Sequence, residues 1–204
     1  MMKKILKSFD DEIHNSQDCF RKILKAMSEP GTKVKLNYIK GFGKSAAAST
    51  QILLTLSDHM TSIWFSEYFK KDTDLTNNIS FYTNSKIVNN SKYSTFALID
   101  GSEEQYFEGT LPFSVGSLEY PDQNTTVIVE VSSFSHGDSY FLKGPGIQST
   151  KPLTISGLPK SLSSYLINRK NEDIFPMGID FVFVCDEEVI AIPRTTLMER
   201  NTCM

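Results

Sequence analysis

An acid and an arginine occupy positions where charge is costly. Asp180 lies one residue into the apolar run Ile179 to Val184, and Arg194 follows the run Val189 to Ile192 with only Pro193 between. A carboxylate in such surroundings needs a cation or hydrogen bonds to be tolerated. A structural ion pair meets that need. In the alternative reading Arg194 faces a phosphate, which the planar fork of guanidinium donors suits. A second candidate is Gly144-Pro145-Gly146-Ile147, where two glycines around a proline force a tight turn. Its amides suit an anion, whereas a rigid corner between two strands explains the same residues with no ligand. The candidate site is therefore Gly144, Gly146 and Arg194 for phosphate, with Asp180 as a structural or site acid. No residue is assigned a catalytic role.

Other chemistry finds little support. Gly41-Phe42-Gly43-Lys44-Ser45-Ala46 fits the short glycine pattern of dinucleotide-binding loops. Lys33 and Lys35 stud the strand ahead of it, however, whereas a strand buried on both faces is almost wholly apolar. His14, His59 and His136 have no ligand-type neighbour at metal spacing, so no metal site is expected. Cys19, Cys185 and Cys203 are odd in number and far apart, which fits free thiols in a reducing cytoplasm. The net charge of -3, with lysines and arginines scattered, lacks the basic stripe of a nucleic-acid binder. No apolar run approaches the ~18 residues that cross a bilayer, and only Ile5 and Leu6 separate the first lysines from Lys7, too few for a signal peptide. A cytoplasmic protein without nucleic-acid or membrane partners is expected.

The elements that must position these residues alternate between helix and strand. Phe20, Ile23, Leu24 and Met27 repeat at helical spacing, predicting a helix over residues 16 to 28 with these four as its apolar stripe and Ser28 to Gly31 as its stop. Residues 33 to 39 read as a strand, 46 to 56 as a helix, and 62 to 66 as a short buried strand around Trp64. Asp72 or Thr73 suits the cap of a helix ending before Ile79. Residues 95 to 99 are apolar on both faces, which favours a central sheet between helices. Val127, Val129 and Val131 alternate, as do Tyr140 and Leu142, and Leu158 to Ile167 reads as a helix with Pro159 in its first turn. Ile179 to Val184 and Val189 to Ile192 form an antiparallel hairpin. The outline is α/β, a single domain with a mixed β-sheet flanked by helices. Glu103 to Pro121 is the least regular stretch, and its Tyr106, Phe107, Phe113 and Tyr120 are candidates for a docking face, with burial the competing role.

Four stretches go beyond generic patterning. They are Phe20 to Gly31, Gly116-Ser117-Leu118-Glu119-Tyr120-Pro121-Asp122, Gly144 to Ile147, and Phe175-Pro176-Met177-Gly178-Ile179-Asp180 followed by Ile192 to Thr196. In order and spacing they resemble the H subunit family of the bacterial carbon-phosphorus lyase system. The resemblance divides the chain into an extension (1 to 15), a family domain (16 to 198) and a tail (199 to 204). It implies a fold related to the large domain of pyridoxal-phosphate-dependent transferases, without that cofactor. It implies an accessory subunit that pairs with itself when isolated and joins the G, I and J subunits in a core complex. That complex uses ATP and a phosphonate to form a ribose 1-phosphonate 5-triphosphate. No cofactor is implied for this chain, and its own chemistry is unassigned.

Overall fold

The computed structural model describes residues 4 to 172 and 175 to 201. In the described residues ten strands build two sheets. The larger holds β1 (Val34–Lys35), β2 (Ser62–Phe65), β3 (Lys86–Ile87), β4 (Phe96–Asp100), β5 (Thr126–Glu130), β8 (Asp180–Cys185) and β9 (Glu188–Ile192), in the order β1-β9-β8-β5-β4-β2-β3. β3, β2, β4, β5 and β8 run parallel. β9 turns back along β8, and β1 pairs antiparallel with β9 at the edge. The smaller sheet is β6 (Ser133–Lys143), β7 (Lys151–Ser156) and β10 (Leu197–Arg200), all antiparallel. The helices are α1 (Glu12–Ser28), α2 (Ala47–Leu56), α3 (Glu67–Lys70), α4 (Thr73–Thr83) and α5 (Lys160–Glu172).

The central strands are apolar on both faces because each face meets its own core. Phe96 and Leu98 of β4, Ile128 of β5 and Val182 and Val184 of β8 face a cluster with Cys19, Ile23, Ile52 and Ile79 of the helices. Their neighbours Ala97, Ile99, Val127, Val129, Phe181 and Phe183 face Tyr140, Leu142 and Leu153 of the smaller sheet and Leu162 and Leu166 of α5. A period of two in the strands thus feeds two layers. The mixed sheet with flanking helices and the hairpin around Asp186 are as the sequence led us to expect.

Several boundaries differ. α1 starts at Glu12 because Asp11 caps it, its carboxylate accepting from the His14 backbone N–H at 3.0 Å. Its buried side is Cys19, Ile23 and Ala26, so the expected stripe is split: Phe20 and Leu24 are 49% and 54% exposed. The strand expected over 33 to 39 shrinks to two residues, because the chain leaves the sheet edge to reach the loop before α2. α4 does not stop before Ile79 but continues to Thr83, closing on Asn84 in the left-handed region. α5 outruns its expected end at Ile167. The dinucleotide reading of Gly41 to Ala46 fails on topology, since the strand ahead of it is an antiparallel edge rather than the first strand of a parallel crossover.

Residues ahead of α1 are tied down. Phe9 is buried, the Leu6 N–H donates to Asn78 Oδ1 at 2.7 Å, and the Tyr82 hydroxyl donates to the Leu6 carbonyl at 2.6 Å. Cys19 and Cys185 are free thiols, while the thiol expected at Cys203 lies outside the described residues. Among the described residues no helix is long and apolar enough to cross a membrane.

Candidate functional site

The hairpin of β8 and β9 brings Asp180 and Arg194 together, as register demands: Phe181 pairs with Ile192, so the residues just outside that pair share one end. Arg194 Nη2 donates to Asp180 Oδ2 at 2.7 Å and Nε to Oδ1 at 3.3 Å, while the Arg194 backbone N–H reaches Oδ1 at 2.7 Å. Asn124 Nδ2 adds a fourth donor to Asp180 at 2.9 Å. Arg194 Nη1 donates to the carbonyls of Pro121 and Pro176. Asp180 and Asn124 are each 7% exposed. A carboxylate with four donors and a guanidinium with every nitrogen engaged form a knot whose chemistry is to hold. It stitches residues 121 and 124, the segment 176 to 180 and the end of β9 into one corner.

The Gly144-Pro145-Gly146 turn lies beside the same corner. The Ile147 N–H closes the turn on the Gly144 carbonyl at 3.1 Å. A Cβ on Gly146 would lie 2.1 Å from the Ser28 carbonyl oxygen at the end of α1, and one on Gly144 2.8 Å from that of Thr195. Both glycines have positive φ, so close approach and backbone conformation explain them together. Pro145 and Arg194, with Arg169, Phe175, Met177, Thr195 and Leu197, line a cavity of about 400 Å³. The sequence candidates Gly144, Gly146, Asp180 and Arg194 thus converge on one place, although Arg194 meets it with its charge matched by Asp180.

The rim of this corner is apolar and open. The Gly178 N–H donates to the Val115 carbonyl at 2.9 Å, joining the loop 114 to 121 to the segment before β8. On these two segments Val115, Leu118, Tyr120 and Phe175 are 37%, 67%, 49% and 74% exposed. Of the four aromatics expected on a docking face, only Tyr120 belongs here. Phe107 and Phe113 are in the core, packed with Trp64 under the sheet, and Tyr106 is partly buried against the same ring at 5.0 Å between centroids. Large rings in an irregular stretch gave no periodicity by which to tell core from rim. Phe175 and Leu118 were missed as exposed residues, because nothing in their local sequence marks an apolar side chain that finds no partner.

A second polar concavity lies at the carboxyl ends of the parallel strands, the end at which open α/β sheets bind ligands. Asp100, Gly101, Ser102, Glu130, Val131, Ser132 and Gly157 line about 260 Å³ there. Glu130 Oε1 accepts the Ala46 N–H at 2.8 Å and so serves the start of α2, where no local side chain caps the helix. Burial pushes its carboxyl up to about 7, helped by the negative charges of Asp100 and Asp186 and opposed by Ser49 and the Ala46 amide. Among the described residues no group of three or more His, Cys, Asp or Glu is placed to hold a metal ion.

The architecture defines a mixed α/β protein with a knotted corner and an open apolar rim. The family of bacterial phosphonate metabolism proteins, PhnH, matches residues 7 to 199. The chain belongs to this family. It is 32% identical over 197 residues to the alpha-D-ribose 1-methylphosphonate 5-triphosphate synthase subunit PhnH of Rhizobium meliloti, covering 95% of each chain. It is also 32% identical over 184 residues to HtxG of Stutzerimonas stutzeri, proposed as a C-P lyase subunit, covering 88% of this chain and 84% of that one.

Proposed function

We propose that the protein is an accessory subunit of the carbon-phosphorus lyase core complex, acting in organophosphonate breakdown at the step that forms a ribose 1-phosphonate 5-triphosphate from ATP and a phosphonate. The observation that carries this reading is the pairing of family membership with the corner at Asp180 and Arg194. The charges there are consumed internally while Val115, Leu118, Tyr120 and Phe175 stand open. Exposed aromatic and aliphatic side chains around a rigid base suit a protein interface better than a reaction centre. Partner subunits of the G, I and J type take this rim. Self-pairing falls to α1, whose Ile13, Phe20 and Leu24 are exposed and lie within one narrow stripe of the helix. The working compartment is the cytoplasm. A fold related to the large domain of pyridoxal-phosphate-dependent transferases belongs to the same reading, supported by the helix-flanked mixed sheet.

The isolated chain is expected to turn over neither ATP nor methylphosphonate, alone or with Mg²⁺, and to restore ribosyl phosphonate formation when added to the other subunits. Phosphate release or adenine loss with the chain alone would defeat the reading. The alternative, an independent enzyme gripping a nucleotide or phosphate between Arg194 and the Gly144 to Gly146 turn, is favoured by the cavity between them. For it, Arg194→Lys should abolish ATP binding in a chain that still folds.

A further inference from the structure

At the amino ends of β4 and β5 the chain enters the sheet through two short turns of 3-10 helix, Ser91–Tyr93 and Pro121–Gln123. The residues leading into the two strands are laced together. The Thr125 hydroxyl donates to the Ser94 carbonyl at 2.7 Å, and the Thr126 N–H to the Thr95 carbonyl at 2.9 Å. The Tyr93 carbonyl accepts from the Ser62 hydroxyl at 2.6 Å, which ties the first turn to β2. A cavity of about 290 Å³ lies here, its lining including Lys92, Tyr93, Ser94, Thr95, Asp122 and Asn124. That volume suits a small metabolite and stands at the low end for ligand pockets.

Asn124 is the informative member of the lining. It is 7% exposed, and its Nδ2 donates to Asp180 Oδ2 at 2.9 Å. Asp180, paired with Arg194, offers only acceptors, so the Asn124 amide cannot flip and its Oδ1 points away from the corner. That oxygen accepts no hydrogen bond among the described residues and is not sealed from the surface. Buried amides normally have both ends satisfied, so an acceptor held open on a cavity wall marks a place for a donor.

Around this acceptor the lining carries one charge of each sign. Lys92 and Asp122 share the cavity, yet neither makes an ion pair among the described residues. Tyr93 is 75% exposed, leaving a ring face on which a cation can sit. We propose that this cavity binds a small zwitterion of the α-amino acid type. Asp122, Asn124 Oδ1 and the Tyr93 ring take its ammonium, and Lys92 takes its carboxylate. A phosphate dianion would set one cation against a carboxylate and an open carbonyl, a bare cation would meet Lys92, and a neutral sugar would leave both charges unmatched. The lining alone carries this assignment, which holds whether or not the chain joins the assembly proposed above. Since Asn124 is bonded to Asp180, occupancy is felt at the corner as well.

The test is an amide NMR titration of the full isolated chain with L-alanine, L-alanine methyl ester, N-acetyl-L-alanine and inorganic phosphate. The amides of Tyr93, Ser94, Asn124 and Asp180 are the reporters. L-Alanine should shift these four together at millimolar concentration. The ester lacks the carboxylate and the N-acetyl compound lacks the ammonium. Each should bind about tenfold or more weakly, since a lost hydrogen bond to a charged group is worth at least that factor. Lys92→Met and Asp122→Asn, both at exposed positions, should each weaken L-alanine to the same degree while leaving the remainder of the spectrum in place. No shift with L-alanine, or shifts of equal size with a blocked analogue, would overturn the proposal. So would phosphate shifts that match those of L-alanine, which would make Lys92 an ordinary surface cation.

Discussion

Two carboxylates show how the same side-chain chemistry divides by surroundings. Asp180 sits against the Arg194 guanidinium, whose remaining donor goes to the Pro121 and Pro176 carbonyls. Removing that guanidinium strands a buried charge, so Arg194→Ala should cost about 3–5 kcal/mol in urea unfolding. A loss below about 1 kcal/mol would mean the pair is solvated. Glu130 meets no cation among the described residues. Its carboxyl ionises near 4.5 in an unfolded chain and near 7 in the fold, so between those values the folded state holds a proton that the unfolded state lacks. Stability therefore falls as pH rises from about 4.5 through about 7, by up to about 3 kcal/mol. Glu130→Gln removes this slope. It should match the natural protein in urea midpoint at pH 4 and exceed it at pH 8, and parallel curves for the two would refute the assignment. Asp180 and Arg194 were legible in the sequence because charge interrupts two apolar runs. Glu130 was not, because Val129-Glu130-Val131 reads as ordinary alternation with the acid facing water. Its burial comes from the loop before α2, whose Ala46 is 84 residues away in the chain.

Among the elements, the central strands were read more accurately than the edge strands and the start of α1. β4 carries an unbroken apolar run that only a twice-covered strand tolerates, so its burial followed from composition, whereas β5 reads as one-sided alternation and its second buried face was not legible. The start of α1 depended on the Asp11 cap, and its buried face on where α2 and β9 happen to lie. Phe20 and Leu24 satisfy helical spacing as well as Ile23 does, and periodicity alone ranks them equally. Their exposure predicts that Phe20→Glu with Leu24→Glu converts a self-pairing chain to a monomer in sedimentation, with stability changed by no more than about 0.5 kcal/mol. A dimer surviving both changes would move self-pairing elsewhere. The turn at Gly144 to Gly146 holds the end of α1 against the smaller sheet. Gly146→Ala combines a positive φ with a Cβ placed 2.1 Å from the Ser28 oxygen, so it should lose more than about 1 kcal/mol in thermal or urea unfolding. An unchanged midpoint would mean that the turn yields freely.

As a whole, the molecule is a rigid two-core sheet with a knotted corner and an apolar rim, and the rim was the least legible part of the sequence. Exposure at Leu118 and Phe175 is set by what fails to pack against them, and no local pattern encodes an absence. The measurement that bears hardest on the docking role is co-purification of tagged chain with the G, I and J subunits, comparing the natural protein with the Leu118→Asp, Phe175→Asp double variant. We expect the natural chain to bring the partners down and the variant, folded and equally stable, to lose them. Undiminished recovery with the variant, or no association of the natural chain, would contradict the account.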